Sequence, residues 1–473
     1  MRILPLIFFV LIFPDCFGQS EHSNWSLEKT EEEEAYTLGT QAYIYYTAPH
    51  MLYAILYQGQ RVPYLDHKDG MPFNTWTRVP MLGNAKNATR VVMPNCNTLY
   101  ASAWLDLRKE PVVLDIPPAG DRYFSIALMD AYSNNFQILG SRTVGPFGGR
   151  YLICSRDFHG IVPDGMTKIV ATTPLIWAIQ RIAPKFANEA ETAECRKIQE
   201  GTSITPLSQL GNPAYREMSY NSKLDLGVPG DANDPFSFFR ISNQFIQLNP
   251  PPEADLGLLA SFSKLGLGPG YTFNADKLSP AQKKGMLRGI ETGRQIIDAF
   301  LKRSGELYNG WLIPPTDAGM YGTNYLLRAA YAVERVGVLL PSEAMYLTSY
   351  SDINGDQYNG TNQYVLHFDR SELPQVDAFW SLILYEVPSL LFYDNPINRY
   401  QMGPQVEAMK YNNDGSLDIY IQHEKPKDPK LAGNWLPAPQ GRFMLTIRLY
   451  NARPAMFQIG VGKTPMPGVK RVK

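Results

Sequence analysis

Residues 94–106 read Pro94-Asn95-Cys96-Asn97-Thr98-Leu99-Tyr100-Ala101-Ser102-Ala103-Trp104-Leu105-Asp106. Proline and asparagine make a turn, and an aromatic run that ends on a carboxylate follows it. This pattern predicts a strand entered through a polar turn. Asn95, Asn97 and Tyr100 are placed to converge on a polar ligand. The same asparagines are better suited still to capping the turn by bonding nearby backbone.

The surrounding chain has the same texture. Val112-Val113-Leu114, Tyr123 to Leu128 and Tyr151-Leu152-Ile153 read as short strands, separated by Pro117-Pro118-Ala119-Gly120-Asp121 and by Gly145-Pro146-Phe147-Gly148-Gly149. Short strands punctuated by Gly and Pro predict a sandwich-type β domain. Asp130-Ala131-Tyr132-Ser133-Asn134-Asn135-Phe136 closes one of them. Asp130 at that strand end is suited to act as a base, and equally to close an Asx turn.

Upstream, Thr30 and Glu33 have capping-box spacing and predict a helix from Thr30. Ala35 to Tyr57 is apolar on most faces, which predicts a buried helix, kinked or split at Pro49. From about 181 to 310 the pattern is mainly helical. Ser279-Pro280-Ala281-Gln282 opens a helix whose Met286, Ile290, Gly293, Ile297 and Phe300 share one face. Asn249 to Pro252 reads as a linker. Beyond about 310, period-two alternation returns at 417–422 and 443–450, and Ala378 to Tyr385 is apolar on both faces. A second sandwich or a jelly roll is the natural container. The expected architecture is mainly β with a helical middle. It divides into a segment 1–18, a helix and sandwich over 19–180, a helical part over 181–320 and a second β domain over 321–473.

The bulk numbers agree with a globular protein. Of 473 residues, 44% are hydrophobic and 19% charged, and the net charge is −1. That balance gives no electrostatic reason to expect nucleic acid or an anionic membrane as a partner. Arg2 followed by the apolar run Ile3 to Phe13, with Cys16 and Gly18 before Gln19, predicts a cleaved signal peptide and a secreted or periplasmic protein. No later run of 18 apolar residues suggests a membrane span. Cys96, Cys154 and Cys195 then remain, without a CxxC pair, and are expected to be buried apolar residues. The histidines lack HxH or HxxxH spacing, and no GxSxG, HExxH or phosphate-loop motif occurs. Asp352, Asn354 and Asp356 place oxygens at alternate positions, as a calcium loop begins. Gln357 and Gln363 stand where an EF-hand needs Gly and Glu, so only a calcium site of another kind fits there.

Four pieces of the first half, Pro94-Asn95-x-x-Thr98-Leu99-Tyr100, Asp106-Leu107-x-x-Glu110-Pro111, Asp121-Arg122-Tyr123 and Asn134-Asn135-Phe136, resemble the bacterial domain of unknown function numbered 1254. Arg328-Ala329, Asp352-x-x-Gly355, Phe379-Trp380-Ser381, Asn413-Asp414-Gly415-Ser416 and Asn434-Trp435-Leu436-Pro437-Ala438-Pro439 resemble its usual companion, number 1214. The resemblance implies an immunoglobulin-like sandwich, a helical middle and a jelly roll, and it is compatible with homo-oligomers. It brings no activity. It also implies an Asp where this chain has Asn97, which removes that carboxylate as a base or metal ligand.

Three functional readings stay open. As an enzyme on a small or polymeric extracellular substrate, the chain would use Asn95, Tyr100, Asp130 and Asn135 with Arg328 for catalysis. Asp130 would be the acid or base and Arg328 the anion anchor. Trp104, Trp380, Tyr385 and Trp435 would contact substrate. As a glycan or surface binder, Trp380 or Trp435 would stack on the ligand. As a structural component, the near-neutral chain would self-assemble.

Overall fold

The computed structural model describes residues 25–473 except 64, 66, 90–91, 217–222, 302–303 and 460–463. The expected signal peptide, residues 1–18, lies outside the described residues. The described chain is 28% helix and 24% strand, with several sheets and no barrel. It is therefore a mixed α and β fold, which bears out the mainly β expectation only in part, because helices make up as much of the described chain as strands.

The helices are α1 (Leu27–Gly59), α2 (Glu189–Gly201), α3 (Ser237–Leu248), α4 (Leu256–Ser261), α5 (Pro280–Leu301) and α6 (Tyr325–Glu334). α1 starts earlier than its sequence suggests. Ser26, not Thr30, is the cap, its Oγ accepting from Lys29 N at 3.1 Å, while Thr30 Oγ1 donates to Ser26 O. α1 also runs through Pro49 unbroken. Its inner residues Tyr45, Tyr46, Leu52 and Tyr53 are buried in one apolar cluster with α3 and α5, so tertiary packing outweighs the intrinsic cost of a mid-helix proline. The α5 cap is as read: Ser279 N donates to Gln282 Oε1 and Gln282 N to Ser279 Oγ, at 3.0 and 3.1 Å. Asn249 is no linker residue. It is fully buried, its Oδ1 accepting from Leu175 N and its carbonyl from Tyr132 Oη.

Among the described residues, nine strands lie in the first half: β1 (Thr77–Val79), β2 (Leu99–Asp106), β3 (Val112–Ile116), β4 (Phe124–Met129), β5 (Asn135–Gly140), β6 (Gly149–Cys154), β7 (Met166–Val170), β8 (Leu175–Ile182) and β9 (Ser203–Pro206). They form one sheet ordered β1-β2-β8-β4-β5 and another ordered β7-β6-β3-β9. Alternate residues of both sheets, among them Leu99, Ala101, Leu105, Val112, Leu114, Phe124, Ile126, Ile153 and Ile176, share one apolar core.

Among the described residues, ten strands lie in the second half: β10 (Glu306–Tyr308), β11 (Trp311–Ile313), β12 (Ala344–Ser349), β13 (Tyr364–Phe368), β14 (Trp380–Glu386), β15 (Gln401–Met402), β16 (Leu417–Gln422), β17 (Trp435–Pro437), β18 (Phe443–Tyr450) and β19 (Lys470–Arg471). One sheet is ordered β10-β11-β12-β18-β14-β15 and the other β17-β16-β13-β19. Leu347, Leu366, Leu382, Ile419, Leu445 and Ile447 belong to their common core.

β18 departs from its pattern. Its Phe443, Leu445, Ile447, Leu449 alternation predicts a solvated opposite face, yet all eight residues are buried. The opposite face is covered by the first half of the chain. Tyr123, Ala127 and Ile138 from that half cluster with Leu339, Ala344, Phe379 and Tyr450 from the other.

A candidate anion site where the two β regions meet

Strand parity builds this site. Even-numbered β2 residues point away from the Leu99, Ala101, Ala103, Leu105 core, so Tyr100 faces outward. In β8, Arg181 stands directly across from Tyr100 in antiparallel register and so projects from the same face. On the other side, β18 directs Arg448 and Tyr450 away from its own core. Tyr346 of β12 and Ser381 of β14 stand opposite Arg448. The non-core faces of these two sheets thus meet, and the polar residues lie between them.

Arg181 is 5% exposed and Arg448 6%. Arg181 Nε donates to Tyr100 Oη at 3.2 Å and its Nη2 to Gly337 O at 2.8 Å. Arg448 Nη2 donates to Met93 O and Tyr385 Oη, both at 2.8 Å, and to Pro94 O at 3.2 Å. Among the described residues neither guanidinium is paired with a carboxylate, and Arg181 Nη1 and Arg448 Nε have no hydrogen-bond partner. The nearby Glu343 is engaged elsewhere, by Arg142 Nε at 2.9 Å and Tyr123 Oη at 3.0 Å. Burial raises the Glu343 carboxyl above its ordinary range, an effect eased by Arg142.

Asn95 links the halves by donating to both Tyr100 Oη and Tyr450 Oη at 2.9 Å. Burial by itself would push the Tyr100 phenol up. The charges of Arg181 and Arg448 and the hydrogen bonds from Arg181 and Asn95 outweigh it and bring Tyr100 below the usual tyrosine value. Tyr346 and Tyr450 are raised, chiefly by burial. Asn95, Tyr100 and Tyr346 remain half-buried, not sealed. Buried uncompensated cations of this kind are costly unless an anion joins them.

The other sequence candidates fall elsewhere. Asp130 is 3% exposed and its Oδ1 accepts from Tyr132 N and Asn134 N, each at 2.9 Å. It holds an Asx turn in which Ser133 has a φ of +67°. Asn135 is buried and donates to Gly319 O and Val338 O. Arg328 is boxed by the Tyr45, Tyr132 and Tyr325 rings and lies 3.5 Å from Asp255. Trp104 stacks on Trp177 with ring centroids 6.0 Å apart. Trp380 packs on Phe368, and Trp435 is buried with its Nε1 donating to Gln422 O. Their rings therefore offer no open stacking surface. Tyr385 borders the site, donating to Pro94 O and accepting from Arg448.

Asp352 Oδ1 accepts from Asn354 N and Asp356 N, so these residues form a turn rather than a cage. Among the described residues no three His, Cys, Asp or Glu side chains converge as a metal would require. Cys96, Cys154 and Cys195 are buried and unbridged, with Cys96 pushed up to about 12 by burial. Asn97 is fully buried, and its amide donates to Gln401 Oε1 and Gln405 Oε1 at 2.6 and 2.9 Å. Sequence reading missed Arg181 altogether. Its one local signal is a charged residue next to the end of a mostly apolar strand.

Residues 73–206 match the family described as protein of unknown function (DUF1254), and residues 343–454 match protein of unknown function (DUF1214). The chain thus carries one match to each of these two families. Asn95, Tyr100 and Arg181 belong to the DUF1254 region, and Glu343, Tyr346, Arg448 and Tyr450 to the DUF1214 region. The site therefore exists only where the two regions meet. The crystal structure of the VPA0106 protein from Vibrio parahaemolyticus is similar over 93% of this chain and 100% of its own, with 24% identity and a TM-score of 0.71. An uncharacterised protein from Burkholderia cenocepacia aligns over 94% of each chain with 11% identity and a TM-score of 0.42. No curated protein matches the chain.

Proposed function

We propose that this protein binds a small oxyacid anion between its DUF1254 and DUF1214 regions, with Arg181 and Arg448 as the anchors. The observation that carries this reading is the pair of buried guanidiniums, each with an N–H lacking a partner and no carboxylate bound to either among the described residues. Guanidinium forks suit carboxylate and phosphate geometry. This reading is favoured over a glycan platform because Trp380 and Trp435 are buried. The wider frame is an exported protein cleaved after residue 18, supported by Arg2 and the apolar run Ile3 to Phe13. Its regions would be an immunoglobulin-like sandwich within 19–180, a helical part over 181–320 and a jelly roll within 321–473. The shared core of each pair of sheets supports the two β regions.

The test is thermal denaturation with malonate or inorganic phosphate. An anion at a hundredfold excess over Kd stabilises the native state by about 2.7 kcal/mol. Melting should rise with the anion at constant ionic strength, and the rise should vanish in Arg181→Met and Arg448→Met. A wild-type chain indifferent to both anions would refute the reading.

A further inference from the structure

Resting on that reading, we infer that Tyr100 is the proton acceptor of this site, its oxygen approached among the described residues only by N–H groups and placed to take a proton from an oxyacid anion lodged against Arg181 and Arg448.

A neutral phenol has one hydrogen to donate. Four other buried tyrosines show where such hydrogens go: Tyr45 donates to Asp255, Tyr46 to Asn243, Tyr132 to Asn249 O and Tyr385 to Pro94 O. Tyr100 differs. Asn95 Nδ2 at 2.9 Å and Arg181 Nε at 3.2 Å both donate to its oxygen. Among the described residues no carbonyl or carboxylate accepts from it. The orientation of Asn95 is fixed, because its Oδ1 accepts from Asn97 N at 2.6 Å, which turns the amide nitrogen toward the phenols. The Arg181 guanidinium also lies over the Tyr100 ring, 5.1 Å from its centroid. This environment suits a phenolate.

The groups facing Tyr100 are Arg181, Arg448, Tyr346 and Tyr450, with Tyr385 and Glu343 behind them. Burial raises the three other phenols, so Tyr100 is the one poised to ionise first. In the step, an O–H bond forms at Tyr100 Oη and a C–H or O–H bond of the ligand breaks. The electron pair stays on the ligand, beside the guanidiniums. No oxidant or reductant is required. The bound species is a carboxylate or phosphate with an acidic hydrogen near its charged end.

The experiment is a near-ultraviolet tyrosinate titration of the full chain, without ligand, below the pH at which it unfolds. Wild type should form about one equivalent of tyrosinate ahead of all others. Tyr100→Phe should lack it, and Arg448→Met should show it at higher pH. No early tyrosinate, or an early component that survives in Tyr100→Phe, overturns the inference. Malonate or phosphate should move the early component to higher pH, since a bound anion opposes the phenolate and the coupling is reciprocal. An early component that neither anion moves leaves the phenolate standing and sinks the anion reading instead.

Discussion

His50 shows how one buried side chain sets a pH limit on the fold. It sits on α1 with Nδ1 3.0 Å from Ser242 Oγ. Ser242 Oγ spends its own hydrogen on Phe238 O at 2.6 Å, so Nδ1 carries the proton and donates. Burial pushes the imidazole down from 6.5 to about 4. Between those values the unfolded chain holds a proton that the folded chain does not. Stability is therefore complete above pH 6.5 and falls as the pH drops toward 4, by about 3 kcal/mol at roughly 1.4 kcal/mol per unit. Urea denaturation at neutral and acid pH checks this. His50→Gln should lose some stability at neutral pH and show a flatter acid limb, and an acid limb as steep as wild type would refute the assignment. Tyr100 is lowered too, and because its ionised form favours the fold, its contribution is likewise lost as the pH falls through its folded value.

At the scale of elements, α1 packs tightly against α5. The stripe Gly285, Gly289 and Gly293 lets the two backbones approach. A Cβ at Gly285 would lie 2.2 Å from Glu32 O and 2.8 Å from Tyr36 N. Backbone cannot swing aside as a side chain can, so Gly285→Ala must part the helices. Overpacking of this kind costs about 1–3 kcal/mol, which exceeds the gain of about 1 kcal/mol in helix propensity. Gly257 in α4 is the control, because nothing lies within 4 Å of a Cβ there. Gly257→Ala should stabilise by about 0.5–1 kcal/mol, and thermal melts of the two variants should move in opposite directions. Much at this scale was legible. The α5 cap and its Met286 to Ile297 face follow from spacing, as do the strands at 417–422 and 443–450. The run through Pro49 was not, because the packing of Tyr45, Tyr46 and Tyr53 that overrides the proline comes from α3 and α5, some two hundred residues away.

For the whole molecule, what sequence could not tell is which strand faces are covered. Alternation in β18 separates Leu445 and Ile447 from Thr446 and Arg448, but it cannot distinguish water from another sheet on the polar side. Asn95 and Tyr100 were legible because a turn and a strand start announce themselves locally. Their partners Arg181, Arg448 and Tyr450 come from distant strands, so only the assembled fold joins them.

The same seam holds Asn97, and it gives the prediction that bears on how the halves cooperate. Its Nδ2 donates to Gln401 and Gln405, and its Oδ1 accepts from Ser381 Oγ at 2.8 Å. Gln405 Nε2 returns a bond to Asn97 O and another to Pro184 O. Asn97→Ala would strand the Ser381 hydroxyl and the Gln401 carbonyl in a sealed interior. Gln405 Oε1 keeps Gln401 Nε2 at 3.3 Å. Two stranded groups at about 1–3 kcal/mol each make the loss roughly 2–6 kcal/mol, charged to the contact between the halves and not to either apolar core. Wild type should therefore melt in one transition, and Asn97→Ala in two, both at lower temperature. Tryptophans distinguish the halves, Trp104 and Trp177 reporting the first and Trp380 and Trp435 the second. Coincident, unshifted transitions in the variant would mean that the apolar contact around Tyr123, Phe379 and Tyr450 alone couples the two halves.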